Sequence, residues 1–219
     1  MKKVYVVNGL PDSGKTLFGV LVAERLTESG VNFLHTSSIN PVKQLLMPEG
    51  EWSQEFRQDG LVKDLRRMKA EVTDRDWDGE TKDDYWRKAM SDLKAKLAEY
   101  DPNFVHSWVL ARALQIEEPC VVFVDIREPH NIQGFKEYCQ FASPEMEVKS
   151  VWLESDLGRE FANLSDGWGI IEYTYDIRVR NNRREFGGDE ERQLAAFKDE
   201  VNSFVERHVV DRARTKEVI

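Results

Sequence analysis

Two glycines, a lysine and a threonine stand at a spacing that can hold a chain of phosphates. Gly9 and Gly14 enclose four residues, and Lys15 and Thr16 follow directly. Glycine has no Cβ, so backbone N–H groups can approach an anion closely, and a lysine beside them adds positive charge. An apolar run before these residues and a helical pattern after them give the context that such a loop requires. The sequence therefore predicts a loop that binds the phosphates of a nucleoside triphosphate.

The loop offers phosphate ligands and one metal ligand. We expect Lys15 to reach the β- and γ-phosphates, and we expect the Thr16 hydroxyl to bind Mg²⁺. The predicted cofactors are therefore ATP and Mg²⁺. The residues expected to contact the nucleotide are Gly9, Asp12, Ser13, Gly14, Lys15 and Thr16. The alternative interpretation is an ordinary glycine turn in front of a helix.

An acidic residue follows the most strand-like run of the chain, Val121–Val124. Asp125 ends this run, where a carboxylate can hold Mg²⁺ through a water molecule. Many strands end in aspartate, so a purely structural role is the alternative. Arg127 lies two residues further along, at the edge where ligands bind in parallel sheets, and it is a candidate phosphate clamp. An ion pair with Glu128 is the alternative for Arg127.

Alternating strand and helix patterns predict the architecture. Short apolar runs predict strands at Lys3–Asn8, Val31–His35, Val121–Val124, Val148–Leu153 and Tyr173–Val179, the last of them nearer an edge. Apolar residues at helical spacing predict helices over 17–26, 54–70, 86–100, 105–114 and 194–205. The long stretch between the second and third strands must fold into structure of its own. The pattern predicts an α/β fold with an open, mostly parallel sheet and a helical insertion.

Composition narrows the class of protein. The chain has 219 residues, 41% of them hydrophobic and 32% charged, which is typical of one globular domain. Its net charge of −9 argues against a nucleic-acid partner, because duplex binding usually shows as a basic patch. The apolar run after Lys3 is too short for a signal peptide or a membrane span, so we expect a cytoplasmic protein with no membrane partner. A homodimer stays an open alternative.

Cysteine and histidine do not predict a metal centre. Cys120 and Cys139 make no disulfide framework, and we expect both to be reduced thiols in or near the core. The histidines have no spacing that suits a metal, so with two distant cysteines they predict no zinc site, and we assign them no role. They are His35, His106, His130 and His208.

The residues described so far resemble the P-loop nucleoside and nucleotide kinases, and within them the phage-type deoxynucleoside monophosphate kinase-like proteins, which are adenylate kinase-like. Val4–Thr16, Val121–Phe135 and Tyr173–Asn182 carry the resemblance, and Asp76–Gly79 with Asp83–Lys94 adds to it. It implies a P-loop NTPase fold of three layers, α/β/α. The sheet would have five strands, and the helical insertion would lie between strands 2 and 3.

The resemblance also implies where the phosphate acceptor binds. The chain would form a single domain over 1–219, with a helical acceptor-site insertion at 40–118 and a short lid-like segment at 154–172. The lid contains one basic residue, Arg159. Either Arg127, Arg159 and an arginine of the insertion would share the work that several lid arginines do in the family, or the transfer would be slow or lost.

Two single positions and a set of insertion residues complete what the resemblance implies. Asn181 or Asn182 would lie near the adenine, with an ordinary turn as the alternative, and Asp12 stands where adenylate kinase has a glycine. Trp86 lies on the apolar stripe of its helix. The candidate acceptor contacts are Arg66, Arg67, Arg87, Lys88, Trp77, Tyr85 and Trp86, each with a solvated or core position as its alternative.

The expected activity is ATP-dependent transfer of a phosphoryl group to a nucleotide, such as a (deoxy)nucleoside monophosphate, or to a nucleoside. Such transfer needs chiefly positioning and charge neutralisation. The expected catalytic residues are Lys15, Asp125, Arg127 and Arg159. Two alternatives stay open: a nucleotide-binding ATPase or switch protein without a small-molecule acceptor, and a kinase of modified bases in DNA. The acidic balance argues against the second alternative, and the lack of DxxG and NKxD patterns argues against a GTPase.

Overall fold

The computed structural model describes residues 2–10, 12–47, 59–75, 83–155, 173–182 and 187–210. Its strands are β1 (Lys2–Gly9), β2 (Asn32–Ser37), β3 (Cys120–Asp125), β4 (Glu147–Ser155) and β5 (Ile177–Asn181). Its helices are α1 (Lys15–Glu28), α2 (Asn40–Leu46), α3 (Asp59–Asp74), α4 (Asp84–Tyr100), α5 (Phe104–Gln115), α6 (Pro129–Ala142) and α7 (Glu190–Phe204). A π-helical turn, Val205–Val209, continues α7. None of the helices in the described part of the chain is long and apolar enough to cross a membrane.

The strands form one parallel sheet in the order β2-β3-β1-β4-β5. Val7 of β1 pairs with Asp125 of β3, and Gly9 of β1 pairs with Leu153 of β4. Since the carboxyl ends of parallel strands meet at one edge, Asp125 and the loop after Gly9 lie at the same edge of the sheet. This arrangement, with α2 to α5 between β2 and β3, confirms the predicted α/β fold with its five-stranded parallel sheet and its helical insertion between strands 2 and 3.

Aromatic and aliphatic side chains build the core on one face of the sheet. Tyr5, Phe123 and Leu153 are almost fully buried there, against Phe18 of α1 and Phe204 of α7. The ring of Phe18 lies 5.2 Å from the rings of both Phe123 and Phe204. Burial of each such side chain stabilises the fold by about 1.5–3 kcal/mol. The strand positions that point the other way are buried as well, and α6 packs against β4, so helices cover both faces.

Three hydrogen bonds join β1 to the π-helical turn. The Lys3 ammonium donates to the carbonyls of His208 and Val209, at 3.2 and 2.9 Å. The Tyr5 hydroxyl donates to the His208 carbonyl at 2.5 Å. Carbonyls in the last turn of a helix lack intrahelical partners, so these side chains satisfy acceptors that would otherwise be unpaired.

The chain divides into two compact units, residues 1–36 with 112–219, and residues 37–111. The smaller unit contains α2, α3, α4 and the first part of α5. The Asp83 carboxylate caps α4 by accepting the Trp86 N–H at 2.8 Å. The helices pack through their apolar stripes around a core of Val42, Leu45, Leu46, Leu65, Met68, Val72, Trp86, Met90, Leu93 and Leu97.

The last strand begins later than its predicted bounds of Tyr173–Val179. Its ladder with β4 starts at Ile177, opposite Val151. One residue earlier, the Asp176 carboxylate accepts the Ser150 N–H at 2.6 Å and the Ser150 hydroxyl at 2.7 Å. Because a side chain already takes the backbone donor that a longer strand would use, the ladder cannot extend back to Tyr173. The strand lies at the sheet edge, as predicted.

Two helices are absent from the predicted elements. The first, α2, has only seven residues, too few for a clear helical period. The second, α6, has Pro129 in its first turn and buries Ile132, Phe135 and Cys139, which lie three and four residues apart. Proline at a helix start and this apolar spacing are both helix signals. The pattern was therefore sufficient to predict α6.

Both cysteines are buried and free. Burial raises the pKa of Cys120, and it raises the pKa of Cys139 to about 12. At neutral pH both groups are therefore protonated thiols inside the core. Their burial confirms the prediction that both cysteines lie in or near the core.

Candidate functional site

The loop between β1 and α1 has the backbone shape that anion binding needs. Asp12 and Gly14 both adopt positive φ angles, 61° and 92°. The Gly14 carbonyl accepts the Phe18 N–H at 2.8 Å and so begins the helix. Gly14 makes no side-chain cap, and no acidic residue lies in the first turn of α1. The positive end of the helix is therefore available to an anion.

Lys15 and Thr16 are the first two residues of α1. The Lys15 ammonium donates to the carbonyls of Gly9 and Leu10, at 2.7 and 2.9 Å, so its charge lies over the loop. Lys15 is half-buried, whereas Thr16 is exposed. A lysine beside an uncapped helix N-terminus makes a site suited to a multiply charged anion.

Gly9 occupies the tightest point of the loop. A Cβ on Gly9 would lie 2.6 Å from Ser13 Oγ and 2.7 Å from the Leu153 carbonyl oxygen, closer than real Cβ contacts. Leu153 pairs with Gly9 in the sheet, so its carbonyl cannot move aside without breaking the ladder. Only glycine therefore lets the chain leave β1 along this path.

The side chain of Asn8 fixes the start of the loop. Its Oδ1 accepts the Gly9 N–H at 2.8 Å, and its Nδ2 donates to the Arg127 carbonyl at 2.9 Å and the Tyr175 hydroxyl at 2.8 Å. Burial raises the pKa of Tyr175 to about 12, although the hydrogen bond from Asn8 works in the opposite direction. One buried amide thus connects the loop to the segments that follow β3 and precede β5.

Asn181 holds the other side of the loop. This residue ends β5 and is 3% exposed, and its Nδ2 donates to the Ser13 carbonyl at 2.9 Å. The Ser13 N–H donates within the loop to the Leu10 carbonyl at 3.1 Å. Asn182, predicted to lie near the adenine, is the next residue and is half-buried. The contact with the loop is therefore made by Asn181, while the role of Asn182 stays a prediction.

Asp125, at the carboxyl end of β3, is held by a histidine from β2. His35 Nε2 lies 3.2 Å from Asp125 Oδ2. An ionised carboxylate can only accept a hydrogen bond, so Nε2 is the donor. The other carboxylate oxygen, Oδ1, is buried and has no hydrogen-bond partner in the described part of the protein. One oxygen is thus fixed by the imidazole and the other is left available.

The His35–Asp125 pair contributes little to the stability of the fold. Both side chains are 29% exposed, and an ion pair of this exposure contributes roughly 0–1 kcal/mol. A buried polar oxygen without a partner costs about 1–3 kcal/mol, which is at least as much. The hydrogen bond with Asp125 raises the pKa of His35 above its usual value, against the effect of burial. Since the ion pair stabilises the fold by no more than the unpaired oxygen destabilises it, these energies favour a functional use for that oxygen.

Gly19, inside α1, leaves the space that His35 occupies. A Cβ on Gly19 would lie 2.7 Å from His35 Nδ1. Glycine in a helix interior costs roughly 0.5–1 kcal/mol relative to alanine, so the helix loses stability here. The Phe123 ring borders the imidazole as well, with the ring centroids 6.3 Å apart and the planes at 86°. The position of His35 is thus set by three elements, α1, β2 and β3.

Most of the predicted site residues come together at one edge of the sheet. Arg127 is exposed two residues beyond β3, at this edge. Arg159, and residues 156–172 of the predicted lid, lie outside the described residues. The residues that the fold does bring to this edge are Gly9, Asp12, Ser13, Gly14, Lys15, Thr16, Asp125, Arg127 and Asn182.

Six of the seven candidate acceptor residues lie on α3 and α4 of the smaller unit. Trp86 is 3% exposed and belongs to the core of that unit, as its alternative interpretation held. The Tyr85 hydroxyl donates to the Glu71 carboxylate, and its ring lies 4.2 Å from the Arg75 guanidinium. Arg66, Arg67, Arg87 and Lys88 are exposed, and Trp77 lies outside the described residues.

Several residues that shape the site were not predicted from the sequence. His35 was given no role from the sequence, and its Nε2 lies 3.2 Å from Asp125 Oδ2, which is 90 residues further along the chain. Asn8, Tyr175 and Asn181 were likewise not assigned to the loop. Two signals were present in the sequence: a polar Asn8 within a buried strand, and Gly19 within a helical pattern, which often marks close packing.

The five-stranded parallel sheet and the glycine loop between β1 and α1 are consistent with a P-loop NTPase fold. No protein-family model matches the chain, and no curated protein matches it. One solved structure with a similar course of the chain is an APS kinase from Mycobacterium tuberculosis. It has a TM-score of 0.40 and 14% sequence identity, over 92% of this chain and 97% of that chain. At such a low similarity, the chemistry of this chain has to be inferred from its own residues.

Proposed function

We propose that this chain is an ATP-dependent phosphotransferase whose acceptor is a nucleotide or a nucleoside. The observation that carries the proposal is the loop from Gly9 to Thr16. It combines left-handed backbone at Asp12 and Gly14 with an uncapped helix N-terminus and the Lys15 ammonium. These are the features that bind the phosphates of a nucleoside triphosphate.

Phosphoryl transfer asks the protein mainly to hold the phosphates in place and to neutralise their charge. Lys15 would exchange its carbonyl partners, Gly9 and Leu10, for β- and γ-phosphate oxygens. The N–H groups at the start of α1 would bind the same phosphates. The loop keeps its shape during this exchange because Asn8 and Asn181 hold it through buried hydrogen bonds.

Two residues fit a Mg²⁺ ion. Asp125 Oδ1 is buried without a partner among the described residues, so it can accept a hydrogen bond from a metal-bound water. The Thr16 hydroxyl is exposed in the first turn of α1 and would bind the ion directly. An ion held by these two residues would supply positive charge that offsets the negative charge of the phosphates.

On the acceptor side the proposal follows the family resemblance. Residues 40–118 would bind the acceptor, and residues 154–172 would serve as the lid-like segment. Arg127 and Arg159 would stabilise the charge on that phosphate. Asn182 would lie near the adenine. We place the activity in the cytoplasm, with no nucleic-acid or membrane partner.

The test is a screen of nucleosides and nucleotides with Mg-ATP, in which phosphorylated product and ADP are both measured. Lys15→Ala removes the ammonium of the loop, and Lys198→Ala removes an exposed lysine of α7 as the matched control. We expect at least one acceptor to be phosphorylated by the wild type and by Lys198→Ala. We expect Lys15→Ala to be slower by about 100-fold or more.

Other outcomes would point to the alternatives. ADP formation that no acceptor changes, together with dependence on a protein partner, would favour a switch protein. Transfer of phosphate to DNA, with salt-dependent DNA binding, would favour a kinase of modified bases. If no acceptor is phosphorylated above the level of Lys15→Ala, the proposal is wrong.

A further inference from the structure

We propose that His35 is a positioning residue for Asp125: its Nε2–H fixes one carboxylate oxygen so that the other faces the water shell of Mg²⁺. The inference rests on the proposed function, since it concerns the metal that accompanies ATP. It names a residue outside the phosphate loop, on the neighbouring strand β2, as part of the nucleotide site.

The geometry of the carboxylate gives the first argument. Oδ2 accepts from His35 at 3.2 Å, while Oδ1 is buried and has no partner within the described ranges. A carboxylate held at one oxygen loses its freedom to rotate, so the direction of the second oxygen is fixed. Hydrogen bonds of this kind orient metal ligands and change their metal affinity.

The packing around His35 gives the second argument. Gly19 stands in the interior of α1, where alanine would make a more stable helix. The Cβ of an alanine would lie 2.7 Å from His35 Nδ1 and would displace the ring. The helix that follows the phosphate loop is thus shaped to admit this imidazole beside Asp125.

These features are not explained by a structural role of the His35–Asp125 contact in joining β2 to β3. The two strands are already neighbours in the hydrogen-bonded sheet. The His35–Asp125 contact lies beyond the middle of the sheet, at the carboxyl edge, and both side chains keep 29% exposure. That edge is where ligands bind in parallel sheets.

The experiment measures the affinity of a fluorescent ATP analogue in EDTA and at increasing Mg²⁺. His35→Leu removes the donor but keeps side-chain bulk, whereas His35→Gln keeps an N–H near the position of Nε2. Gly19→Ala displaces the ring without removing any polar group, and Val20→Ala, at an exposed position of the same helix, is its control.

For each variant we measure the Mg²⁺ concentration that gives half of the Mg²⁺-dependent change in affinity for the ATP analogue. We expect this concentration to be about 10-fold higher for His35→Leu and Gly19→Ala than for the wild type. Their affinity in EDTA should equal that of the wild type, which also shows that the variants are folded. His35→Gln and Val20→Ala should respond to Mg²⁺ like the wild type.

The failure of this inference can be told from the failure of the proposed function. The wild type could bind ATP through Lys15, while His35→Leu and the wild type require the same Mg²⁺ concentration for half of the change in affinity. In that case only the role of His35 is wrong. If His35→Leu and Gly19→Ala lose affinity equally in EDTA and in Mg²⁺, His35 supports the loop rather than Asp125, and the inference is again wrong. If the wild type shows no ATP binding that depends on Lys15, both proposals fail.

Discussion

The side-chain amide of Asn181 donates to the backbone carbonyl of Ser13 at 2.9 Å in the protein interior, and so joins the last strand to the phosphate loop. Asn181→Ala leaves this carbonyl without its side-chain partner, which costs about 1–3 kcal/mol. We expect a lower free energy of unfolding in urea. We also expect ATP affinity to fall about tenfold, equivalent to about 1.4 kcal/mol, because the loop is less well held.

Asn182→Ala is the matched control for this prediction. If Asn182 lies near the adenine, its replacement lowers the affinity for ATP but leaves the affinity for inorganic triphosphate unchanged. Asn181→Ala should lower both affinities. Equal unfolding free energies of Asn181→Ala and the wild type would contradict the importance of the buried hydrogen bond.

Gly9→Ala should damage both stability and binding. The new methyl group would lie 2.6 Å from Ser13 Oγ and 2.7 Å from the Leu153 carbonyl oxygen. Such overpacking costs about 1–3 kcal/mol, and relief requires the loop to move away from β4. We expect a lower free energy of unfolding and no measurable ATP binding by calorimetry. Gly30→Ala, where nothing lies within 4 Å of the added Cβ, should lose stability through its positive φ alone and still bind ATP.

Asp12 combines a positive φ of 61° with a carboxylate in the loop that we propose to bind phosphate. Asp12→Gly removes both the backbone strain and the negative charge, so we expect a more stable protein with a several-fold higher affinity for ATP. Asp12→Val places a β-branched residue at a left-handed position and should cost about 1–2 kcal/mol. Thermal melts and ATP titration check both variants. A weaker affinity of Asp12→Gly would show instead that the carboxylate assists binding.

The stability of the fold depends on pH through Asp176. Burial alone would raise the pKa of Asp176, but hydrogen bonds from Lys136 and from the Ser150 N–H and hydroxyl outweigh it and lower the pKa. The stabilisation is therefore complete above the unfolded pKa of about 3.9 and is lost as the pH falls through the lower folded value.

Asp176→Asn tests this dependence through urea unfolding between pH 2 and pH 7. We expect the variant to be less stable than the wild type at neutral pH, with a difference that shrinks as the solution becomes acidic. Lys198→Ala, which changes an exposed charge on α7, should follow the wild type at every pH. A difference between Asp176→Asn and the wild type that stays constant down to pH 2 would contradict the lowered pKa.

The fold could be predicted because its signals are local. The buried run of β1, the glycine loop and the apolar stripe of α1 follow one another within the first thirty residues. The bounds of β5 could not be predicted in this way. They depend on whether the Ser150 N–H pairs with a strand or with the Asp176 carboxylate, which is a choice between two distant segments.

In the candidate site, the residues of the loop could be predicted from the sequence, whereas those around the loop were harder to predict. Lys15, Thr16 and Asp125 stand at positions that their motifs define. His35 and Asn181 reach the site from strands whose order in the sheet is not written in any local pattern. Gly19 was a local signal, but its meaning depends on which side chain fills the space.

The hydrogen bonds between β1 and the π-helical turn also bear on how the protein forms during synthesis. Lys3 and Val209 are 206 residues apart, so at about 5–20 residues per second a ribosome needs roughly 10–40 s to make the second partner after the first. Both neighbours of β1 in the sheet, β3 and β4, also come from later in the chain. Strand β1 is thus synthesised before its partners and completes its contacts only after the π-helical turn is made, so a nascent chain stalled before the turn should not bind ATP.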